Sequence, residues 1–190
     1  MALSGNGGTF DTPIMPTAGM AQGGLLLPVP YVSQNPAKNL CWAACCEMVL
    51  RANSKSDKRI CDIANLFTSG TNCCPDATVP ACDQDQSAED AYRKCGVSFQ
   101  GPYSYAFAWQ GLVNEIQIGR RPVEVLYHWN DGSGQHLALL TGLHPSGYVF
   151  VNDPWKGWGW MAYQDVLDAY GLGKWIMTYQ GIGNSLAPLS

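Results

Sequence analysis

Three cysteines within six residues raise the question of chemistry in this sequence. Cys41, Cys45 and Cys46 lie in the stretch N-L-C-W-A-A-C-C-E-M-V-L-R-A, which starts at Asn39. Apolar residues recur at helical spacing after Cys41, which predicts a helix from Cys41 to about Arg51 with Asn39 as its N-cap. Backbone N–H groups and the helix dipole favour negative charge at a helix start, so a cysteine there is a candidate nucleophile. Cys41 has that position, whereas Cys45 and Cys46 are predicted to be core or disulfide residues.

A nucleophilic cysteine needs a base, and the chain has three histidines. His144 lies beside the turn formers P-S-G and His128 precedes N-D-G-S-G, so both are predicted to be surface residues. His136 opens the apolar strand H-L-A-L-L-T-G directly after the glycine-rich G-S-G-Q. An imidazole at the edge of a strand beside a glycine-rich bend can face a cleft, and His136 is therefore the candidate base.

Strand pairing predicts a partner that orients His136. The runs H-L-A-L-L-T-G-L and G-Y-V-F-V-N-D-P-W are β-rich, and P-S-G between them predicts a hairpin. His136 lies about nine residues before Pro145, and Asp153 lies six residues after Gly147. The two side chains should therefore reach the same end of the ladder, within the tolerance of a β-bulge. Asp153 is predicted to hold the imidazole in one tautomer and orientation.

Gln34 is the fourth candidate, because it lies seven residues before Cys41 on an extended segment. Its carboxamide N–H and the backbone N–H of Cys41 are predicted to stabilise the oxyanion of a tetrahedral intermediate. Together the four residues supply a nucleophile, a base, an orienting group and an oxyanion donor, which is the set that acyl transfer requires.

The order of these motifs resembles that of the papain-like cysteine peptidases (clan CA). The matching residues are Gln34, Cys41-Trp42-Ala43, His136 and Asp153-Pro154-Trp155. Within that clan the chain is similar to small bacterial members with Asp as the third residue, the AvrRpt2-type effector peptidases and the double-glycine leader peptidases of bacteriocin exporters. The resemblance runs from about residue 29 to residue 179. It departs from papain in having Asn39-Leu40 where Gly-Ser is usual and Gln34 one residue further upstream.

The resemblance implies a papain-like α+β fold with the active site in a cleft between two halves, and no metal or cofactor. The sequence pattern predicts the same layout, since helical patterns occupy the first half and antiparallel β-rich runs follow Arg121. Residues 1–24 are rich in Gly, Pro, Thr and Ser and are predicted to form a flexible arm, which leaves residues 25–190 as one peptidase domain.

All eight cysteines lie in the helical half. Five of them are the best candidates for disulfides that pin the 73–82 loop: Cys61, Cys73, Cys74, Cys82 and Cys95. The connectivity is left open, and with Cys41 free at least one further thiol of the remaining seven must be unpaired. A zinc site is the alternative, but the loop has no C-x-x-C pair with a second pair at finger or ribbon spacing. The acids Asp83 and Asp85 lack the ligand spacing of a calcium site and are predicted to be solvated.

Three tryptophans are candidate substrate-binding residues: Trp42 in the cysteine motif, and Trp155 and Trp158 in D-P-W-K-G-W-G-W. Trp155 is also expected to pack over the active-site residues. Trp158 and Trp160 alternate with glycines, so at least one of them is expected to line the cleft.

The charge and hydrophobicity of the sequence exclude two classes of binding partner from our expectations. The net charge is −4 and no basic stripe is present, so nucleic acid is not an expected partner. No apolar run approaches the roughly 20 residues of a membrane span, so no membrane partner is expected either. A high cysteine count indicates an oxidising compartment, yet the N-terminus lacks the pattern of a signal peptide. We therefore expect secretion or delivery into a target cell without a cleaved signal peptide, the protein being cytoplasmic in its producer before export.

The sequence thus predicts a cysteine endopeptidase acting on a protein or peptide substrate, as an exported effector or interbacterial toxin with a cognate immunity or inhibitor protein. Gly23-Gly24 is interpreted as a linker, with self-cleavage after a Gly-Gly pair as the alternative. A different acyl transfer on the same triad, deamidation or transamidation, would modify its target without cleaving it. A disulfide-stapled binding module would keep its function after treatment with iodoacetamide.

Overall fold

The structure is a computed structural model, and it describes residues 23–187. Of the predicted arm, residues 1–22 lie outside the described range. The helices are α1 (Cys41–Ala52), α2 (Ile60–Ala64), α3 (Ala88–Cys95), α4 (Trp109–Leu112, continued by a π-helical turn over Val113–Ile118) and α5 (Tyr163–Leu167). The strands are β1 (Leu25–Leu26), β2 (Gln100–Tyr103), β3 (Val123–Trp129), β4 (Gln135–His144), β5 (Tyr148–Asp153), β6 (Gly157–Ala162) and β7 (Gly173–Gln180).

The strands form one antiparallel sheet in the order β2-β7-β3-β4-β5-β6, and β1 adds to β4 off this path. The predicted hairpin is β4 and β5, in which Leu143 pairs with Val149 and Leu140 with Val151. Its register shifts between Leu140 and Gly142, so the hairpin contains the irregularity that the spacing of His136 and Asp153 requires. The α+β prediction is confirmed, while β2 and β6 were not predicted.

Helix α1 packs on one face of this sheet and is almost entirely enclosed. Every residue from Cys41 to Leu50 is buried, including Glu47. A helix that is apolar on all sides has to be surrounded by protein, and the residues around α1 come from α2, α3 and the Leu137 and Leu139 side chains of β4. The first residue of α1 is thereby held against the start of β4, where His136 lies.

The opposite face of the sheet carries the second core. Alternate residues of β3, among them Val125 and Tyr127, point into it because side chains alternate across a strand. The π-helical turn after α4, together with α5, covers this face through Ile116 and Val166. Over residues 23–187, no helix combines the length and hydrophobicity needed to cross a membrane.

Candidate active site

Cys41 is the first residue of α1 and is 8% exposed. Leu40 occupies the N-cap position and makes no side-chain capping bond. The prediction of Asn39 as N-cap is wrong, because its side chain donates instead to the backbone oxygen of Asp83 at 2.9 Å. The first backbone N–H groups of α1 are thus not capped by a side chain, and such groups favour an anion at the helix start.

Asp83 holds the segment that leads into Cys41. Its carboxylate accepts hydrogen bonds from the backbone N–H of Lys38 at 3.0 Å and of Asn39 at 2.7 Å. The next residue, Gln84, accepts the indole N–H of Trp42 at 3.0 Å through its backbone oxygen. The prediction of Asp83 as a merely solvated loop residue is therefore wrong, since the loop fixes both sides of Cys41.

Gln34 is buried beside the same segment. Its backbone N–H donates to the Pro154 oxygen at 2.9 Å, which ties it to the residue after Asp153. Its Nε2 donates to the Lys38 oxygen at 2.7 Å and, less favourably, to the Ala37 oxygen at 3.4 Å. Gln34, the predicted oxyanion donor, thus lies beside the segment that precedes Cys41, and its side-chain amide donates to backbone oxygens of that segment.

His136 and Asp153 are in direct contact. Nε2 of His136 lies 2.7 Å from Oδ1 of Asp153, and both side chains are buried. The same oxygen accepts the backbone N–H groups of Trp155 at 2.8 Å and Lys156 at 2.9 Å. The hydroxyl of Tyr170 donates to Oδ2 at 3.1 Å. The turn after β5 therefore fixes the carboxylate, and the carboxylate leaves Nδ1 of His136 for other partners.

His136 and Asp153 each stabilise the charged form of the other. Burial on its own lowers the pKa of His136, but the Asp153 carboxylate and the neighbouring Cys41 raise it, and the balance raises the pKa to about 10. Burial raises the pKa of Asp153, yet His136 and the N–H groups of Lys156 and Trp155 lower it below its ordinary value. An imidazolium therefore faces Cys41 at neutral pH.

Two indole rings enclose the imidazole. Trp129, at the end of β3, stacks on His136 with ring centroids 5.7 Å apart, and Trp155 meets it edge-on at 6.0 Å. Trp155 thus packs over the site as predicted. Trp129 was not singled out from the sequence, although its position seven residues before His136 across a predicted turn could have indicated it.

The other candidate substrate-binding residues lie elsewhere. Trp42 is 2% exposed and packs edge-on against Phe67, so its prediction as a cleft residue is wrong. Trp158 is 57% exposed and stacks on Phe150. It lines a cavity of about 620 Å³ with residues 26–31, and the lining includes neither Cys41 nor His136.

Of the two histidines that were predicted to be surface residues, one is exposed and the other is buried. His128 is exposed, as predicted. His144 is 6% exposed, accepts the backbone N–H of Ser146 and packs against Trp160 of β6, so its prediction as a surface residue is wrong.

Two disulfides shape the cysteine-rich loop. Cys61–Cys74 ties it to α2, and Cys73–Cys82 closes it. Cys95 is not in a disulfide, contrary to the prediction, and neither are three others: Cys41, Cys45 and Cys46. Among the described residues Cys61, Asp62 and Cys74 cluster closely enough for a metal ion, but sulfurs bonded to each other offer no thiolate for it.

A buried carboxyl group lies beneath α1. Glu124 of β3 is 0% exposed, and burial raises its pKa to about 8, which its neighbours Tyr92 and Cys45 only partly offset. It is therefore predominantly protonated at neutral pH, which avoids placing an unpaired anion behind the nucleophile helix.

Comparison with known proteins agrees with this fold. One similar solved structure is a double glycine motif protease from an AMS/PCAT transporter in complex with the leader peptide. It is 22% identical, has a TM-score of 0.50, and the match covers 84% of this chain and 95% of that one. The Pseudomonas avirulence protein AvrPphB is 10% identical over 82% of this chain and 97% of its own, and its TM-score of 0.37 is too low to carry an argument. No curated protein sequence matches the chain at a significant level.

A cysteine at the start of a buried helix, beside a His–Asp pair at the shared end of two neighbouring strands of an antiparallel sheet, defines the class as papain-like cysteine protease. The chain belongs to the Peptidase_C39 like family, whose sequence profile matches residues 26–183. The predicted resemblance and the predicted enzyme class are confirmed.

Proposed function

We propose that this protease cleaves peptide bonds with Cys41 as nucleophile, His136 as base and then acid, and Asp153 as the orienting group. The contact of 2.7 Å between His136 Nε2 and Asp153 Oδ1 carries the proposal. Because Asp153 occupies Nε2, the nitrogen left for proton exchange with Cys41 is Nδ1. The raised pKa of His136 supports an imidazolium beside Cys41, ready to donate its proton during the reaction.

In the proposed reaction Sγ of Cys41 attacks the scissile carbonyl carbon, and the carbonyl π electrons move onto oxygen. The backbone N–H of Cys41 receives this oxyanion at the start of α1. Gln34 assists with its second amide N–H, which is held only by a long bond of 3.4 Å to the Ala37 oxygen. His136 then protonates the leaving amine, and later takes a proton from the water that hydrolyses the acyl-enzyme.

The substrate is proposed to be a protein or peptide segment with Gly-Gly before the cleaved bond. Family membership supports this, as does the double-glycine protease among the similar structures. Self-cleavage after Gly24 within one molecule is not favoured. Leu25 follows it in β1 and pairs with Leu143, seven residues along β4 from His136, a distance of roughly 23 Å at about 3.3 Å per residue.

The protease is further proposed to be an exported effector or interbacterial toxin. The two disulfides support this proposal, because disulfides persist in an oxidising compartment outside the cytosol. A producing cell would then need a cognate immunity protein. Growth of recipient cells that express the protease, with Cys41→Ala as the matched control, tests this role. Equal growth in both would contradict it.

The decisive experiment is N-terminal sequencing by mass spectrometry of a proteome treated with wild-type or Cys41→Ala protein. We expect new N-termini with the wild type alone, and faster cleavage of a Gly-Gly peptide than of its Ala-Ala counterpart. Target modification without chain cleavage would replace the peptidase proposal with deamidation or transamidation.

A further inference from the structure

The side chain of Asp153 is a fully buried anion. It is 0% exposed, so each carboxylate oxygen depends on protein donors rather than on water. Oδ1 has three donors: His136 Nε2 and the backbone N–H groups of Trp155 and Lys156. Oδ2 receives the Tyr170 hydroxyl at 3.1 Å. This bond is made by a residue 17 positions away in sequence, from the segment between α5 and β7.

The backbone of that segment is unusual for residues with side chains. Tyr170 has φ 63° and ψ 30°, and Ala169 before it has φ 47°. Left-handed backbone is unfavourable for residues with a Cβ, so it persists only where the surrounding structure requires it. Here the Asp168 oxygen accepts the N–H groups of Gly171 at 3.0 Å and Gly173 at 3.1 Å, which stabilises the turn. The turn brings the Tyr170 ring over the sheet towards Asp153.

The Tyr170 ring is supported from behind. Tyr127 of β3 packs edge-on against it with ring centroids 5.4 Å apart. Burial raises the pKa of Tyr170 well above its ordinary value, and Tyr127 and Asp153 raise it further. The hydroxyl is therefore favoured in its protonated form, in which it donates a hydrogen bond.

We infer that Tyr170 is a positioning residue of the protease, whose hydroxyl fixes Oδ2 of Asp153 so that Oδ1 stays in line with Nε2 of His136. The inference rests on the proposed triad. Tyr170 contacts the orienting carboxylate, so it is expected to act through Asp153. Without the hydroxyl, Oδ2 loses its donor and the carboxylate is held through Oδ1 alone. Loss of a donor disfavours the charged form, which raises the pKa of Asp153.

Tyr170→Phe tests the inference, because it removes the hydroxyl and keeps the ring. Tyr163→Phe is the matched control: its hydroxyl donates to the Phe107 oxygen at 2.6 Å, in the neighbouring helix α5 and away from the triad. We expect Tyr170→Phe to lower kcat about tenfold with KM unchanged, the loss of one hydrogen bond to a charged group. The acid limb of its pH–rate profile should move to higher pH. Tyr163→Phe should match the wild type.

Alkylation of Cys41 by iodoacetamide as a function of pH gives a second readout that needs no substrate. Tyr170→Phe should shift its acid limb in the same direction. In an Asp153→Ala background the Tyr170→Phe change should have no further effect, since the group through which it acts is gone. A Tyr170→Phe variant that behaves like Tyr163→Phe, or one that lowers the rate equally in both backgrounds, overturns the inference. A wild-type Cys41 without enhanced alkylation overturns the triad itself, so the two failures are distinguishable.

Discussion

Nε2 of His136 and Oδ1 of Asp153 lie 2.7 Å apart, on neighbouring strands joined by one tight turn. The contact is local in the topology even though 17 residues separate the two in sequence. Both side chains are buried, so their interaction is not weakened by water, and each stabilises the charged form of the other. Most of the predicted chemistry depends on this pair.

Replacing His136 with Ala should slow the alkylation of Cys41 by iodoacetamide at pH 6 by about tenfold or more, because the thiol loses its cationic neighbour. The pKa of about 10 for His136 means that the wild type keeps this cation from pH 6 to pH 9. Mass spectrometry with peptide mapping measures the modified residue. His128→Ala, at an exposed position, is the control and should react like the wild type.

Asp153→Asn should retain more activity than Asp153→Ala. Asn keeps an oxygen that can accept the His136 N–H and the N–H groups of Trp155 and Lys156, whereas Ala leaves all three without a partner. We expect a fall in kcat/KM of about 10²-fold or more for Ala and a smaller one for Asn. Both should also lower the pKa of His136, which histidine NMR titration measures. Equal losses would mean that the negative charge, and not the geometry, is what matters.

Glu124→Gln should remove a pH dependence of stability. The folded-state pKa of Glu124 is raised to about 8, so its contribution is fully present below its unfolded pKa near 4.5 and is lost as the pH rises through about 8. Between these values the free energy of unfolding should fall by about 1.4 kcal/mol per pH unit. Urea unfolding at pH 5 and 6.5, with disulfides intact, measures this below the range in which His136 contributes. The variant should show a shallower slope, since Gln has no charge to bury beside Tyr92 and Cys45.

Removal of the Cys73–Cys82 disulfide should affect both stability and catalysis. Serine at both positions should lower the free energy of unfolding by about 2–3 kcal/mol, from the loop-closure entropy of a short loop. Asp83 follows Cys82 directly and holds the backbone before Cys41, so kcat should fall as well. The double serine variant of Cys61 and Cys74 is the matched control, and it should lower stability with a smaller effect on kcat. Equal effects of the two variants on kcat would contradict this role of Asp83.

The sequence was sufficient to predict the positions of residues whose contacts are made within one hairpin or one helix. The turn signal P-S-G placed His136 and Asp153 at the same end of a hairpin, and helical periodicity placed Cys41 at the start of α1. It was not sufficient for contacts between distant segments. Tyr170 reaches Asp153 through a left-handed turn that no local pattern signals, and Asp83 reaches Lys38 across 45 positions.

The error at His144 has a similar cause. The run W-K-G-W-G-W was expected to place Trp158 or Trp160 in the cleft and was not predicted as a strand, whereas residues from Gly157 onward form β6 and pair with β5. Trp160 of that strand covers His144, which would be exposed in an isolated hairpin. Asn39 depends on a distant partner in the same way. Its side chain was expected to cap α1, but it donates a hydrogen bond to the backbone oxygen of Asp83.

The disulfide-closed loop that leads into Asp83 gives the protease two opposite requirements for the redox state of its surroundings. Cys41 must stay a reduced thiol to react, while Cys73–Cys82 must stay oxidised to hold the segment before it. Cys73 and Cys82 are both buried, at 0% and 2% exposure, so a dissolved reductant reaches the half-exposed Cys74 more readily. Activity should therefore pass through a maximum at moderate reductant concentration and decline when the buried bond opens, so an environment that is too strongly reducing would inactivate this thiol enzyme.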